Sequence, residues 1–303
     1  MRHPRIFGTS NLKLQTSNFK PQTSNLKLQT SNFKPQTLSM SDQSIPEYRT
    51  PPKAPHHKNW WGRFLRLIRN LFLLFFILSI VWVVLARFFP VYVTPLMVIR
   101  SVESLTHGEF PKNSKTWVSI DEISPNMVQA VVASEDNLFM HHHGFSFDSM
   151  TKAFEHNLQG KRIRGGSTIS QQTAKNVFLF PNRSYIRKGL EAYFTVLIEM
   201  IWPKKRIMEV YLNVIETGKG LYGVEAASEE YFGVNASGLS RSQASLIAAC
   251  LPNPRRFNAG DPSGYIRHRK NSIVGLMGKV EQVNFNKVTP QVKHKHKHKH
   301  RKS

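Results

Sequence analysis

The sequence predicts a mainly α-helical domain that follows one membrane-spanning helix near the N-terminus. Three observations predict this architecture. Residues 70–86 form an uncharged apolar run of 17 residues. Between residues 117 and 280, apolar side chains recur at helical spacing behind residues that start helices. Strand-like alternation of apolar and polar residues is scarce in the same region.

Composition limits the class of protein before any motif is considered. The chain has 303 residues, 40% of them hydrophobic, which is enough to build a packed core. Its single cysteine, Cys250, excludes an internal disulfide framework and any metal site built from several cysteines.

The excess of positive charge lies mostly in the two tails. The net charge is +23, but residues 1–69 carry 12 basic and 2 acidic side chains, and residues 291–303 carry 6 basic and none acidic. Residues 70–290 keep 24 basic and 17 acidic side chains. No nucleic-acid partner is therefore expected, because no basic surface with interleaved aromatic residues stands out. A moderately basic core suits an anionic ligand or an anionic surface.

The two ends of the chain have low-complexity sequence. Thr9–Gln22 recurs without change as Thr23–Gln36, with a proline every 14 residues that would break a helix. We therefore expect residues 1–59 to be a disordered, repeat-bearing segment, and we hypothesise that translation starts at Met40. Residues 284–303 are expected to form a basic Lys/His tail, in which the lysines oppose metal binding by the histidines.

The apolar run is interpreted as a membrane anchor within residues 60–89. Extended to Phe89 it reaches about 20 residues, enough to span a bilayer. Arg-Phe-Phe-Pro follows it, which does not resemble the small-residue site of a cleaved signal peptide. Three arginines precede the run and one follows it, so we expect a single-pass protein of the cytoplasmic (inner) membrane with a cytoplasmic N-terminus. Residues 90–116 would be a membrane-proximal segment, with the domain at 117–283 on the periplasmic or outer face.

The helices of that domain are predicted from cap residues and apolar spacing. The first begins at Ser124-Pro125 and ends near Asp136. The starts of the others are Ser146 or Asp148 (ending near Gly160), Ser184, Pro203, Ser240 and Asp261-Pro262.

A carboxylate pair, Glu135-Asp136, closes the first of these helices. The negative end of the helix dipole and an apolar wall both disfavour a charged carboxylate, so both would raise a glutamate's pKa towards the range of a general base. Three histidines, His141–His143, follow. They could ligate a metal, but capping roles are favoured because adjacent histidines do not face one point.

Two further clusters are polar. Gly165-Gly166-Ser167-Thr168 leads into a helix, whose free amides could bind phosphate or sugar oxygens; a simple turn with a helix cap explains it equally. Arg187 and Lys188 lie four and three residues before Glu191, a spacing that also fits a surface ion-pair ladder.

Taken in order, these motifs resemble those of a known family. Glu-Asp-x-x-Phe-x-x-His-x-Gly at 135–144, Gly-Gly-Ser-Thr-x-x-Gln-Gln at 165–172 and Arg-Lys-x-x-Glu at 187–191 are similar to the motifs of the peptidoglycan glycosyltransferases, glycosyltransferase family 51. The resemblance covers about 117–280, and it departs from the family at Thr195, where a smaller residue is usual. It implies a lysozyme-like, two-lobed fold and, with few residues after 280, no transpeptidase activity.

The resemblance also implies an activity and a set of site residues. The enzyme would be an inverting hexosyltransferase that polymerises lipid II into β-1,4-linked glycan strands and releases undecaprenyl pyrophosphate. Glu135 matches the family's general base, and Glu191 its second essential glutamate. The substrate-binding residues implied are Asp136, Phe139, His142, Gly166, Ser167, Thr168, Gln171, Gln172, Lys175, Asn176, Arg183, Arg187 and Lys188.

Several points stay open at this level. The partners implied are lipid II, the growing glycan strand and the membrane, with other cell-wall synthesis or division proteins not excluded. No cofactor is certain, although a divalent ion, Mg²⁺ or Mn²⁺, could lie near Glu191. The alternatives are a lysozyme-like or lytic enzyme that cleaves the same polymer, and a non-catalytic membrane-anchored scaffold.

Overall fold

The computed structural model describes residues 60–146, 166–181 and 184–286, and these residues are mainly helical. In chain order the elements are α1 (Trp60–Phe88), α2 (Pro95–Thr106), β1 (Ser114–Lys115), α3 (Pro125–Glu135), α4 (Ile169–Phe178), α5 (Tyr185–Ile201), α6 (Lys204–Val214), β2 (Glu216–Gly218), β3 (Leu221–Tyr222), α7 (Val224–Phe232), α8 (Arg241–Cys250) and α9 (Gly264–Met277). The expected mainly α class is confirmed.

Helix α1 is long and apolar enough to cross a membrane. Its 29 residues extend over roughly 43 Å at the rise of an α-helix. Most of its apolar side chains are exposed, as expected of a helix that faces lipid rather than a protein core.

The second half of α1 packs against the domain. Val83 is fully buried, and its carbonyl accepts a hydrogen bond from Trp202 Nε1 at 2.8 Å. Ser79 Oγ and Tyr193 Oη, on α5, lie 2.7 Å apart. Arg206 donates to the carbonyl of Ala86 at 2.9 Å. These contacts join the apolar helix directly to the elements that carry the polar motifs.

The predicted caps define most helix starts. The hydroxyls of Ser124, Ser184 and Ser240 each accept a hydrogen bond from a backbone amide in the first turn of α3, α5 and α8. The last helix was placed slightly early: its cap is Ser263, two residues after Asp261, because Ser263 Oγ accepts from the amide of Ile266. The helix expected from Ser146 or Asp148 to Gly160 lies outside the described residues beyond Ser146.

Helix α2 and a small sheet were not predicted. The strand order is β1-β3-β2, with β1 parallel and β2 antiparallel to β3. Its strands have two or three residues, too few for an alternating pattern to be recognised. Gly220 in the β2–β3 turn has φ of +73°, and a Cβ there would lie 2.1 Å from the carbonyl oxygen of Lys112. Only glycine fits this close approach of two chain segments.

The helices of the domain pack in two groups. Helices α3, α8 and α9 pack together, and α4 packs against α5 and α6. The buried core includes Met127, Val131, Ile169, Ile198 and Ile247. Helix α3 from the first group ends where α4 from the second begins, and the polar motifs gather at this junction.

Candidate active site

Glu135, the last residue of α3, has a largely buried carboxylate with two partners. Its Oε2 accepts a hydrogen bond from Gln172 Nε2 at 3.0 Å, and its Oε1 lies 3.9 Å from Arg269 Nη2. Burial raises the pKa of the Glu135 carboxyl above its ordinary value, against the opposing effects of the Gln172 hydrogen bond and the charge of Arg269. A carboxylate with a raised pKa that is still held by donors can accept a proton near neutral pH.

Asp136 follows in a non-helical conformation and makes internal hydrogen bonds. Its Oδ2 accepts from the amide of Ile169 at 3.0 Å and lies 2.8 Å from His142 Nε2. The amide of Gly144 donates to His142 Nδ1 at 3.1 Å, so Nε2 carries the proton and donates to Asp136. Asp136 therefore ties the end of α3 to the start of α4. Direct contact of Asp136 or His142 with substrate stays a prediction.

The start of α4 has a complete capping box. Thr168 Oγ1 accepts from the amide of Gln171, and Gln171 Oε1 accepts from the amide of Thr168 at 3.0 Å. Thr168 Oγ1 also donates to the carbonyl of Gly144 at 2.6 Å. The Thr168 hydroxyl and the Thr168 amide are therefore both used to cap α4. This agrees with the interpretation of the motif as a turn with a helix cap. Ser167 is exposed and Gly166 is half-buried at the same terminus, which leaves them accessible to a ligand.

A cluster of cations surrounds the second glutamate, Glu191. This side chain is buried on α5; its Oε2 accepts from Arg187 Nη1 at 2.9 Å, and its Oε1 accepts from Lys188 Nζ. The pair is not a plain surface ladder, because the carboxylate that the two cations share is buried. Arg183 lies outside the described residues.

Lys175 lies within electrostatic range of both carboxylates, Glu135 and Glu191. Burial lowers the pKa of its ammonium, and Glu191 and Glu135 oppose this effect with their charges. In the described part of the chain, no hydrogen bond holds the Lys175 ammonium. It is thus a half-buried cation within electrostatic range of both glutamates and is available to an anionic ligand. Asn176, next on α4, is half-buried.

The surroundings of Glu191 do not fit a divalent metal. Both carboxylate oxygens already accept hydrogen bonds from cations, which would repel a metal ion. No group of three His, Cys, Asp or Glu side chains suited to a metal occurs among residues 60–146, 166–181 and 184–286. The histidines diverge as expected, since His141 contacts Glu281 and His142 contacts Asp136.

Two residues that the sequence motifs did not indicate contact the site. Arg269, on α9, faces Glu135, and its Nε is buried with no hydrogen-bond partner among the described residues. Tyr211, on α6, is fully buried and donates from Oη to Gln172 Oε1 at 3.3 Å. This bond orients the Gln172 amide so that its nitrogen faces Glu135.

A network of hydrogen bonds around Lys204 and Glu199 supports the segment that follows Glu135. Lys204 Nζ donates to the carbonyl of His142 at 2.6 Å and to Glu199 Oε1 at 2.8 Å, and Ser170 also donates to Glu199. The Lys204 ammonium lies 4.7 Å from the centre of the Phe139 ring, which is fully buried. Phe139 therefore supports the segment after Glu135 and is not exposed to a ligand here.

An apolar groove opens between α1 and α5 and ends at the cation cluster. Its volume is about 560 Å³. Phe75, Leu78 and Trp82 of α1 form one wall, and Phe178 and Phe194 contribute to the other. Arg187, which donates a hydrogen bond to Glu191, lines the same groove. A long apolar chain with an anionic end group would match this combination of surfaces.

The chain is similar to known proteins over most of this domain. A family model described as Transglycosylase matches residues 103–278. A biosynthetic peptidoglycan transglycosylase of Bacteroides thetaiotaomicron is 56% identical over 218 residues, which cover 72% of this chain and 88% of the relative. A protein of the same name from Bdellovibrio bacteriovorus is 56% identical over 214 residues, covering 71% and 86%. Another from Shigella sonnei is 50% identical over 214 residues, covering 69% and 88%.

Proposed function

The chain belongs to the transglycosylase family of peptidoglycan-synthesising glycosyltransferases, and from this membership we propose how its site polymerises glycan strands. The enzyme builds glycan for the cell wall from lipid II. In the proposed reaction, the 4-hydroxyl of the acceptor sugar attacks C1 of the lipid-linked donor. Undecaprenyl pyrophosphate leaves from the opposite face, so the α-linked donor becomes a β-1,4 linkage.

Glu135 is the proposed general base. Its raised pKa lets it take the proton of the attacking hydroxyl near neutral pH, a contribution of about 10²–10⁴-fold in comparable enzymes. The Gln172 hydrogen bond and the Arg269 charge hold the carboxylate in one orientation and oppose its protonation before attack. One observation carries the proposal. The largely buried Glu135 carboxylate is held by Gln172 and Arg269, and the second carboxylate, Glu191, is bound by two cations.

The proposed leaving-group site is the cation cluster. Negative charge grows on the pyrophosphate in the transition state, so the leaving group needs fixed cations and no proton donor. Lys175, Arg187 and Lys188 supply these cations, and Glu191 holds two of them in place. Burial of Lys175 strengthens its effect, because electrostatic attraction is larger where water is excluded.

The apolar groove between α1 and α5 fits the lipid end of the substrate. Because Arg187 lines both the groove and the cation cluster, a pyrophosphate held there would leave its polyprenyl chain against Phe75 and Trp82. Those residues lie in the membrane-spanning helix, so the chain would continue into the bilayer. This arrangement supports a site at the membrane surface.

We propose that the domain lies on the outer face of the cytoplasmic membrane, since three arginines precede the apolar run and one follows it. Protease added to osmotically opened cells with an intact cytoplasmic membrane should then degrade the domain. Complete protection, with cleavage only after the membrane is dissolved, would contradict this orientation.

The proposed function is tested with detergent-solubilised full-length protein and labelled lipid II, with the products separated by size. Polymer that lysozyme digests is expected from the native chain, and Glu135→Gln should lower the polymerisation rate at least a hundredfold. Glu229→Gln is the matched control, because Glu229 is exposed on α7 outside the site. Retention of most activity by Glu135→Gln would reject Glu135 as the base. Shortening of added glycan strands in place of polymer would favour a hydrolytic enzyme.

A further inference from the structure

An exposed aromatic residue lies on the α9 side of the proposed base. Glu135 is held between two helices: Gln172 of α4 donates to its Oε2, and Arg269 of α9 faces its Oε1. Tyr265 precedes Arg269 by four residues on α9, so the two side chains share one face of the helix, about 6 Å apart along its axis. Tyr265 is 52% exposed. The face of α9 that reaches Glu135 therefore continues into an open aromatic surface.

A second aromatic ring supports Tyr265. Phe257, in the loop after α8, is half-buried, and its ring centre lies 5.7 Å from that of Tyr265 with 33° between the planes. Phe257 also packs against the buried core, and the Arg256 guanidinium lies 5.8 Å from the centre of its ring. Phe257 thus connects the exposed Tyr265 ring to the core. We call these two rings the α9 aromatic surface.

Hydrogen bonds fix the backbone on both sides of this surface. The carbonyl of Asn253 accepts from the amide of Phe257 at 3.0 Å, and Asn258 Oδ1 accepts from the amide of Gly260 at 2.8 Å. The hydroxyl of Ser263 then caps α9. The two rings are therefore arranged before a ligand binds, which lowers the entropic cost of binding.

The chemistry of the surface fits a sugar chain. The C–H groups on the face of a pyranose ring can pack against an aromatic ring, and the Tyr265 hydroxyl can exchange hydrogen bonds with sugar hydroxyls. Arg256 is exposed beside Phe257, and a glycan strand that carries peptides also carries carboxylates that a cation attracts. An aromatic ring with a polar end and a nearby cation matches both parts of such a strand.

The position of the surface favours the growing strand as the occupant. In the proposed reaction the pyrophosphate of the strand lies at Lys175 and Arg187, and its lipid lies in the groove between α1 and α5. The sugars beyond the reacting one must leave the site by another route. Helix α9 packs with α3 and α8, in the helix group that does not contain α5, and it forms the other side of Glu135.

We propose that the α9 aromatic surface binds the growing glycan strand beyond the reacting sugar, with one sugar ring packed on Tyr265. This inference rests on the proposed function, which supplies the strand. The surface holds the strand between successive additions. A donor long enough to reach Tyr265 therefore binds more tightly than a donor with a single disaccharide.

The first test is calorimetric binding of a lipid-free glycan fragment to the detergent-solubilised full chain. The probe is a β-1,4-linked tetrasaccharide of two N-acetylglucosamine–N-acetylmuramic acid units. Saturable binding is expected, and Tyr265→Ala should weaken it about tenfold. Tyr265→Phe keeps the ring and should weaken binding less. Because Tyr265 is exposed, both variants should melt near the native temperature.

Tyr92→Ala is the control, since Tyr92 is an exposed tyrosine in the segment before α2 and should not affect the probe. Absence of saturable binding would overturn the proposal, and so would native affinity in Tyr265→Ala. Equal losses in Tyr265→Ala and Tyr265→Phe would also overturn it, because the hydroxyl and not the ring would then carry the contact.

The second test compares lipid-linked donors of one and three disaccharides. The native chain should have the lower KM for the longer donor, and Tyr265→Ala should raise that KM about tenfold more than the KM of the shorter donor. An equal rise for both donors would place Tyr265 at the reacting sugar and overturn the proposal.

Polymerisation of lipid II by the same preparations separates this inference from the proposed function. Polymer that depends on Glu135, with glycan binding that ignores Tyr265, would reject the α9 aromatic surface and leave the function intact. Fragment binding that depends on the Tyr265 ring, in a chain that makes no polymer, would reject the function and leave a glycan-binding surface.

Discussion

Replacement of Arg269 by glutamine should move the acid limb of the pH–rate profile to higher pH. Arg269 Nη2 lies 3.9 Å from Glu135 Oε1, and its charge opposes the rise that burial causes in the pKa of Glu135. Glu135 must be ionised to accept a proton from the attacking hydroxyl. Without the guanidinium, the pKa of Glu135 rises further. The ionised fraction is then lost at a higher pH than in the native enzyme.

The distance sets the size of the effect. Two unit charges at 3.9 Å attract by about 1 kcal/mol in water and about 4 kcal/mol at the effective dielectric of a protein site. The Arg269 side chain is 32% exposed, so the interaction energy lies towards the lower of these two values. On the acid limb, where the rate follows the ionised fraction, about 1 kcal/mol corresponds to a fall of roughly fivefold.

The assay is kcat/KM for lipid II polymerisation across the pH range, because this ratio reports groups of the free enzyme. Arg269→Lys should keep the acid limb near its native position. Arg267→Gln should not move it, because Arg267 is exposed on the same helix and bonds the carbonyl of Pro262 at 2.8 Å. An Arg269→Gln variant with a uniformly lower rate and an unmoved acid limb would refute the reasoning. Arg269 would then contribute only to structure or substrate binding.

Two other predictions test the cation and the backbone of the site. Because burial lowers the pKa of Lys175, activity should fall on the alkaline side, and Lys175→Arg should remove that fall while keeping part of the rate; an unchanged alkaline limb would exclude Lys175. Gly144→Ala should destabilise the domain by about 2–4 kcal/mol, since Gly144 has φ of +87° and its Cβ would lie 2.8 Å from Thr195 Cγ2. The melting temperature should fall by about 5–15 °C. Gly233 also has a positive φ, +64°, but nothing lies within 4 Å of a Cβ there, so Gly233→Ala should cost less; equal losses would contradict the steric argument.

The local features of this fold could be predicted from sequence because their causes are local. A serine before an apolar repeat both caps and starts a helix, so Ser124, Ser184 and Ser240 located α3, α5 and α8. The rise in the pKa of Glu135 was predicted because an apolar helix packs into a core, and burial is the largest cause of that rise. The sheet was missed because its strands are too short to show a period.

The partners of the site residues depend on long-range packing, and no local pattern indicates them. Arg269 follows Glu135 by 134 positions and belongs to a helix with an ordinary cap. Tyr211 lies within an apolar repeat that predicts core packing, and it is indeed fully buried, yet its hydroxyl reaches the site. Asp136 also has a distant partner that its motif did not indicate. Its contact with substrate stays a prediction, and its carboxylate accepts a hydrogen bond from the amide of Ile169, 33 positions later.

Helix α4 determines how the two halves of the proposed reaction are aligned. Gln172, which bonds the base, and Lys175, which faces the leaving-group site, are three residues apart and therefore on one face of the helix. Their spacing along the axis is fixed at about 4.5 Å by helix geometry. The capping box at Thr168 and the hydrogen bond that the Ile169 amide donates to Asp136 stabilise the first turn of α4. Any displacement of α4 would thus move the Gln172 contact to Glu135 and the Lys175 ammonium together.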